Sequence, residues 1–202
     1  MKKYIHLDDK YISCSSNISC TRLARYLHDN KQPGYEFLYG IPGTIAGAVS
    51  MNAGAFEREI MPYVHSLDLL DENGMIYTLK NNEMSYSYRT SNIDKKSIII
   101  SIKLLKQTSN FDFNLLNLLN EKRKISQPIN QLSCGCIFKN PSGYHAAKLI
   151  DSAQLKGSRA GGIYISHKHS NYFINDGSGT YKDFLVLFCL LYTSDAADDR
   201  NC

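Results

Sequence analysis

Four stretches of the 202-residue sequence hold residue types that do chemistry. Residues 40–55, GIPGTIAGAVSMNAGA, set Gly40, Gly43, Gly47 and Gly54 among small side chains with no formal charge. Glycines let backbone N–H groups come close to a ligand, and consecutive N–H groups make a concave anion site. A helix beginning near Thr44 would add its N-terminal dipole to a bound phosphate. The same composition also suits a small-residue helix packed tightly under a sheet, and the spacing is neither GxGxxG nor a P-loop. Residues 85–91, SYSYRTS, place Arg89 among hydroxyl side chains. A guanidinium there offers a planar fork to a carboxylate or phosphate; an exposed arginine on a turn is the plainer alternative. Residues 133–141, SCGCIFKNP, present Cys136, then Lys139 and Asn140. Lys139 carries a point charge suited to a phosphate and Asn140 an amide that reads polar groups. Cys136 equally fits a small buried apolar residue. Residues 148–175 add Gly161-Gly162, which permit close backbone approach, and the pair His167 and His169. On a strand the two histidines would share a face, but no third ligand is near and no metal site is read.

These stretches need elements to hold them. Residues 4–7 and 11–14 read as strands around the turn Asp8-Asp9-Lys10. Residues 19–30 read as a helix capped by Ser19, with Leu23, Tyr26 and Leu27 at helical spacing. A strand over 64–70, the turn Asp71-Glu72-Asn73-Gly74 and a strand over 75–79 form a hairpin. Residues 97–105 are strongly β-prone. Residues 113–124 form a helix ending in Lys122-Arg123-Lys124, which suits a helix C-terminus. After Gln127-Pro128 come a short strand over 136–138 and a helix over 144–153 with Ala147, Leu149 and Ile150 near one face. Strands over 163–166 and 172–175 follow, then a helix from Tyr181 capped by Thr180. Mixed elements with hairpins favour an α+β fold over a doubly wound sheet.

Composition narrows the class. The 22.8 kDa chain is 43% hydrophobic and 21% charged, values of a globular protein, with room for one large or two small domains. A net charge of +4 is too small to argue for nucleic acid. The positive excess lies in residues 106–188, which fits an anionic small ligand or a solvated basic face. The six cysteines form no CxxC pair and no zinc spacing, so reduced thiols and a cytoplasmic location are expected. No apolar run follows the opening MKKYIHLDDKY, so no signal peptide is read. Residues 37–56 carry no charge and are long enough to span a bilayer. Pro42, Asn52 and the glycines break that stretch, which reads as a glycine-rich loop and helix, with no membrane partner.

Taken in order, GIPGTIAGAVSMNAGAF with Glu59 soon after, YSYRTS, QP, SCGCIFKNP, LIDSAQLKG, GG and SHKHSNYFIN resemble the MurB family, the UDP-N-acetylenolpyruvoylglucosamine reductases. The resemblance covers about residues 4–188. It implies the C-terminal part of a two-subdomain FAD-binding region of the PCMH/vanillyl-alcohol-oxidase type over residues 1–105. An α+β MurB C-terminal substrate domain would follow over 106–188. It implies FAD as cofactor and NADPH as co-substrate. NADPH reduces FAD, and hydride then passes to the enolpyruvyl double bond of UDP-N-acetylglucosamine enolpyruvate, giving the cell-wall precursor UDP-N-acetylmuramate. A cytoplasmic monomer is expected. By family pattern Gly40, Ile41, Pro42, Gly43, Thr44, Gly47, Ala48, Asn52, Ala53 and Gly54 lie against FAD. Arg89 matches the catalytic arginine that stabilises the enolate, and Cys136 stands where the family commonly has a serine proton donor. Tyr88, Lys139 and Asn140 fall in the substrate site.

Three departures accompany the resemblance. A thiol at position 136 keeps a donatable proton, with a reference pKa of about 8.5. The 202 residues contain neither the family's GGGSN-type flavin loop nor its C-terminal glutamate. A fragment of this kind is expected to hold flavin poorly and to be inactive unaided. Residues 189–202 continue no family pattern and read as a foreign tail, a sequencing or assembly product. The alternative function is a non-catalytic nucleotide-sugar-binding remnant. An oxidase of the wider FAD superfamily is more distant, because SCGCIFKNP and LIDSAQLKG belong to the reductase's substrate domain.

Overall fold

A computed structural model describes residues 2–193. The chain divides into two compact units, Met1–Glu121 and Lys122–Cys202. The division falls after Glu121, whereas the sequence predicts a boundary after residue 105, the last residue of a strand, Ile98–Leu105.

In the first unit β1 (Ile5–Leu7) and β2 (Tyr11–Ser15) pair antiparallel. The Asp8 carboxylate closes their turn by accepting the N–H groups of Lys10 and Tyr11 at 2.9 and 2.7 Å. Helix α1 (Cys20–Asp29) buries Cys20, Leu23, Ala24 and Leu27, one helical stripe. Ala24 fills the place expected of Tyr26, whose ring is at the surface. Ser19 caps α1 by accepting the Arg22 N–H at 3.2 Å, a contact worth about 1 kcal/mol. Helix α2 (Ile45–Ser50) follows the glycine-rich loop. Next come β3 (Gly54–Ala55) and β4 (Arg58–Glu59), a tight hairpin whose turn residues Phe56 and Glu57 take φ of 54° and 61°. Two positive φ values are what a type I′ turn demands. Strands β5 (Val64–Leu70) and β6 (Ile76–Lys80) form the expected long hairpin. A second short hairpin joins β7 (Tyr86–Ser87) and β8 (Thr90–Ser91), and β9 (Ile98–Leu105) completes the unit's sheet.

That sheet has the order β1-β2-β9-β5-β6, antiparallel throughout, as an α+β fold requires. Its core gathers Ile12, Leu23, Phe37, Ile45, Leu67 and Ile102 with their neighbours. Cys14 and Cys20 sit inside it, and burial pushes their thiols up to about 12 and about 11. The uncharged stretch 37–56 becomes a 3-10 turn at Glu36–Leu38 and the short α2. Among the described residues no helix is long and apolar enough to cross a membrane.

Helix α3 (Leu115–Ser126) runs across the division between the units. The second unit then has α4 (Ala146–Ser152), β10 (Arg159–Ala160), β11 (Ile163–Ile165), β12 (Phe173–Asn175) and α5 (Tyr181–Thr193). The three strands form one antiparallel sheet, and its core is Ile150, Ile163, Ile165, Phe173, Leu187 and Leu191. On α4 Ile150 is buried as expected, together with Ala146, while Ala147 and Leu149 are half-buried. The strand expected at 136–138 is reduced to one bridge, Cys136 opposite Tyr172. Of the expected tail, residues 189–193 continue α5, and Leu191 is buried in the core. Residues 194–202 lie outside the described residues.

Candidate active site

The arginine stands at the tip of a hairpin. Ser87 pairs with Thr90, so Tyr88 and Arg89 are the two turn residues of β7–β8. Arg89 takes φ 54°, the left-handed region that strains a non-glycine residue. Its side chain is tethered on several sides. Nη1 donates to the Asn52 carbonyl at 3.1 Å and Nη2 to the Gly54 carbonyl at 2.7 Å. Glu59 Oε1 lies 3.5 Å from Nη1, and the guanidinium carbon sits 4.9 Å from the centre of the Tyr88 ring. Asn52 ties these partners together. Fully buried and itself at φ 43°, it donates to Glu59 Oε2 at 2.7 Å and to the Ser87 carbonyl at 2.9 Å. Its oxygen accepts the Met61 N–H at 3.2 Å. The arginine is therefore no loose surface residue, yet 30% of its side chain remains open to a ligand. Glu59 is visible in the sequence only as part of the family pattern, and nothing in its spacing flags it as Arg89's partner.

The glycines divide by role. A Cβ on Gly54 would fall 2.1 Å from the Arg58 carbonyl oxygen, so Gly54 is required by packing. A Cβ on Gly43 would meet nothing within 4 Å, and one on Gly47 only the Thr44 hydroxyl at 3.8 Å. Pro42, Gly43, Thr44 and Gly47 are exposed, Gly40, Ile41 and Ala53 are half-buried, and Ala48 is buried. The N–H groups of Gly43 and Thr44 make no hydrogen bond among the described residues. The start of α2 departs from expectation. The Ile45 N–H donates to the Ile18 carbonyl at 2.8 Å, that of Ala46 to the Ser16 carbonyl at 3.2 Å, and that of Gly47 to Thr44 Oγ1 at 3.3 Å. The Gly40 N–H goes to the Thr21 hydroxyl at 3.2 Å. The helix start is docked on the chain that follows β2, so it offers no open turn of N–H groups to a phosphate. Pro42, Gly43, Thr44 and Gly47 leave an exposed, uncharged ledge.

In the second unit Gly135, at φ 88°, turns the chain so that Cys136 is exposed. Asn171 fixes the next two residues. Its main-chain oxygen accepts the Ile137 N–H at 2.9 Å, and its side chain makes both amide bonds to Phe138, at 2.9 and 2.8 Å. Burial first, and then the Cys136 side chain to which it is hydrogen-bonded, push the Tyr172 phenol up to about 12, with Arg123 acting against them. Lys139 and Asn140 are exposed, but Asn140 Oδ1 accepts the Ala146 N–H at 3.1 Å and so caps α4. His167 and His169 lie in the loop after β11, not on a strand. His167 lies against Gly157, and His169 faces the Tyr172 ring at 4.8 Å. Among the described residues no three His, Cys, Asp or Glu side chains could together hold a metal ion. Gly161 and Gly162 serve packing, since a Cβ would strike the Asp183 carboxylate at 2.3 Å or the Gly179 nitrogen at 2.3 Å. A cavity of about 410 Å³ is lined by Lys124, Gln127, Gln131, Tyr164, His167 and Lys168, among others.

Both units match known families. Residues 1–80 match the model described as "FAD binding domain", which places the first unit in the class of FAD-binding folds. Residues 127–191 match that described as "UDP-N-acetylenolpyruvoylglucosamine reductase, C-terminal domain". The chain is 39% identical over 184 residues to the UDP-N-acetylenolpyruvoylglucosamine reductase of Clostridium tetani, covering 90% of this chain and 60% of that protein. It is 41% identical over 170 residues to the enzyme of the same name from Streptococcus pyogenes, covering 83% and 57%. The crystal structure of UDP-N-acetylenolpyruvylglucosamine reductase from Thermus caldophilus superposes with a TM-score of 0.76 at 29% identity, over 86% of this chain and 65% of that one. The chain belongs to the UDP-N-acetylenolpyruvoylglucosamine reductase family, and it spans about 60% of the length of the Clostridium relative.

Proposed function

We propose that these residues carry the family's reductase chemistry. UDP-N-acetylglucosamine enolpyruvate is reduced to UDP-N-acetylmuramate, with FAD as cofactor and NADPH as co-substrate, for peptidoglycan synthesis. The observation that carries this reading is Arg89, a guanidinium fastened by two backbone carbonyls and Glu59 yet still open to a ligand. The exposed ledge of residues 42–44 and Gly47 would hold FAD, with the Gly43 and Thr44 N–H groups toward its phosphates. The flavin, when bound, supplies the hydride. Arg89 holds the substrate carboxylate and stabilises the negative charge that grows on it as the enolate forms, a role in which fixed donors outperform mobile ones. Cys136 gives its S–H proton to the substrate carbon. Tyr88, Lys139 and Asn140 bind substrate, and Lys124 and Lys168 bring to their cavity the charge that a diphosphate requires. Residues 1–105 bind the flavin and residues 106–188 the nucleotide sugar. The protein acts as a cytoplasmic monomer, without nucleic acid or membrane.

The test is NADPH oxidation that depends on the enolpyruvyl sugar. FAD is supplied in excess, because the 202 residues hold no GGGSN-type loop. Arg89→Lys keeps the charge but loses the fork, and turnover should fall by about 10²–10³. NADPH oxidation indifferent to the sugar, or an Arg89→Lys variant as fast as the parent, overturns the reading.

A further inference from the structure

Cys136 and Tyr172 face each other as an antiparallel bridge pair, which puts their side chains on one face within contact distance. The register is fixed on both sides. Asn171, immediately before Tyr172, is locked to Ile137 and Phe138 by the three hydrogen bonds described above, and the Ser166 N–H donates to the Tyr172 carbonyl at 2.9 Å. The phenol also feels a buried cation. Arg123 of α3 is 6% exposed, donates from Nη1 to Gln127 Oε1 at 3.3 Å, and acts electrostatically on Tyr172. A further titratable neighbour is His169, edge-on to the Tyr172 ring at 4.8 Å, which in turn feels Asp151 and Lys156. The sequence gives no hint of this set, because Arg123, Cys136 and Tyr172 come from three separate segments.

We propose that Tyr172 is the positioning residue of Cys136: its phenol O–H donates to the sulfur and steadies the thiolate that proton delivery leaves behind. The proposal rests on the reading of Cys136 as proton donor. In that step the S–H bond breaks, a C–H bond forms at the enolate carbon, and the electron pair stays on sulfur. Tyr172 keeps its own proton throughout, and water returns one to the thiolate. A phenol whose pKa is raised holds its proton at every working pH, so it remains a donor when the sulfur becomes charged. Arg123 supplies positive charge to the pair at no cost in protons.

The experiment reads the thiol directly. In a Cys134→Ser background, the rate of Cys136 alkylation by iodoacetamide is followed against pH, peptide by peptide, in the whole protein. Tyr172→Phe keeps the ring and removes the O–H. The reactivity midpoint of Cys136 should rise by about one pH unit, roughly a tenfold loss of thiolate at neutral pH. A reciprocal measurement guards against a packing effect. In Cys136→Ala, the Tyr172 phenol, followed by NMR of its ring carbon, should titrate lower than in the parent. Midpoints unmoved in both variants overturn the proposal. A protein in which both midpoints move, but whose NADPH oxidation is indifferent to the enolpyruvyl sugar, keeps the pairing and loses the reductase reading instead.

Discussion

A methyl group has room at position 47 and none at position 54. Gly47 lies inside α2, where alanine is the better helix former by roughly 0.5–1 kcal/mol. Gly54 lies against the backbone of Arg58, which cannot move aside as a side chain could. Gly47→Ala should therefore stabilise the first unit in urea unfolding, while Gly54→Ala should destabilise it by about 1–3 kcal/mol. FAD affinity should respond differently. Gly47→Ala should weaken it, because the added methyl occupies the ledge proposed for the cofactor. A Gly47→Ala protein that is both more stable and equally good at holding FAD would take that residue out of the site. The glycine-rich run was legible as a run, but the roles of its members were not. Which glycine meets solvent and which meets Arg58 depends on the hairpin β3–β4, whose turn residues Phe56 and Glu57 carry none of the glycine or asparagine signals usual there. The same holds for Asn52. Its composition suits a loop, but its buried bonds to Glu59 and Ser87 arise only from tertiary folding.

Among the elements, α5 shows how local chemistry starts a helix. The Asp183 carboxylate accepts the Thr180 N–H at 2.9 Å while Thr180 Oγ1 accepts the Asp183 N–H at 3.2 Å, a reciprocal cap. The Thr180 N–H and hydroxyl hold Asp183 below the usual carboxylate range. Nearby, the Ser178 hydroxyl and N–H, with Arg159, hold Asp176 down at about 2. Both carboxyls are lower in the folded than in the unfolded chain, whose reference is about 3.9. The stability they confer is complete above about pH 4 and is lost as pH falls toward 2. The melting temperature of the second unit should drop across that window, and Asp176→Asn should flatten the drop. An Asp176→Asn protein with the parent's full acid dependence would show that the loop bonds contribute nothing. Elements of this local kind were readable in advance. Ser19, Thr44 and Thr180 precede helices as cap chemistry predicts, and β5 has the range expected of it, ahead of the hairpin turn at Asp71-Glu72-Asn73-Gly74. The segment 136–138 resisted because among the described residues its strand-like pairing is a single bridge to residue 172, and its conformation depends on Asn171 rather than on any periodicity of its own.

Among the described residues two cores share no residue, one under the five-stranded sheet and one between α4, α5 and the three-stranded sheet. Scanning calorimetry should resolve two transitions, of which only the one assigned to the second unit responds to Asp176→Asn. A single transition moving as one would mean that the units unfold as one cooperative body. At this scale the α+β class and the succession of a flavin-type unit and a reductase-type unit were legible, because four motifs in order carry more information than any one of them. Where each core ends was not legible, since the reach of α5 and the burial of Leu191 depend on packing that has no local motif. The thiols buried in the first core have a further use. Cys134, Cys136 and Cys189 are at the surface, whereas Cys14 and Cys20 are reachable only when the sheet and α1 separate. The protein thus carries its own stopwatch for breathing motions. The pace at which a reagent consumes the Cys14 and Cys20 sulfurs, set against the prompt reaction of Cys134, Cys136 and Cys189, counts the openings of the flavin-type unit without any added label.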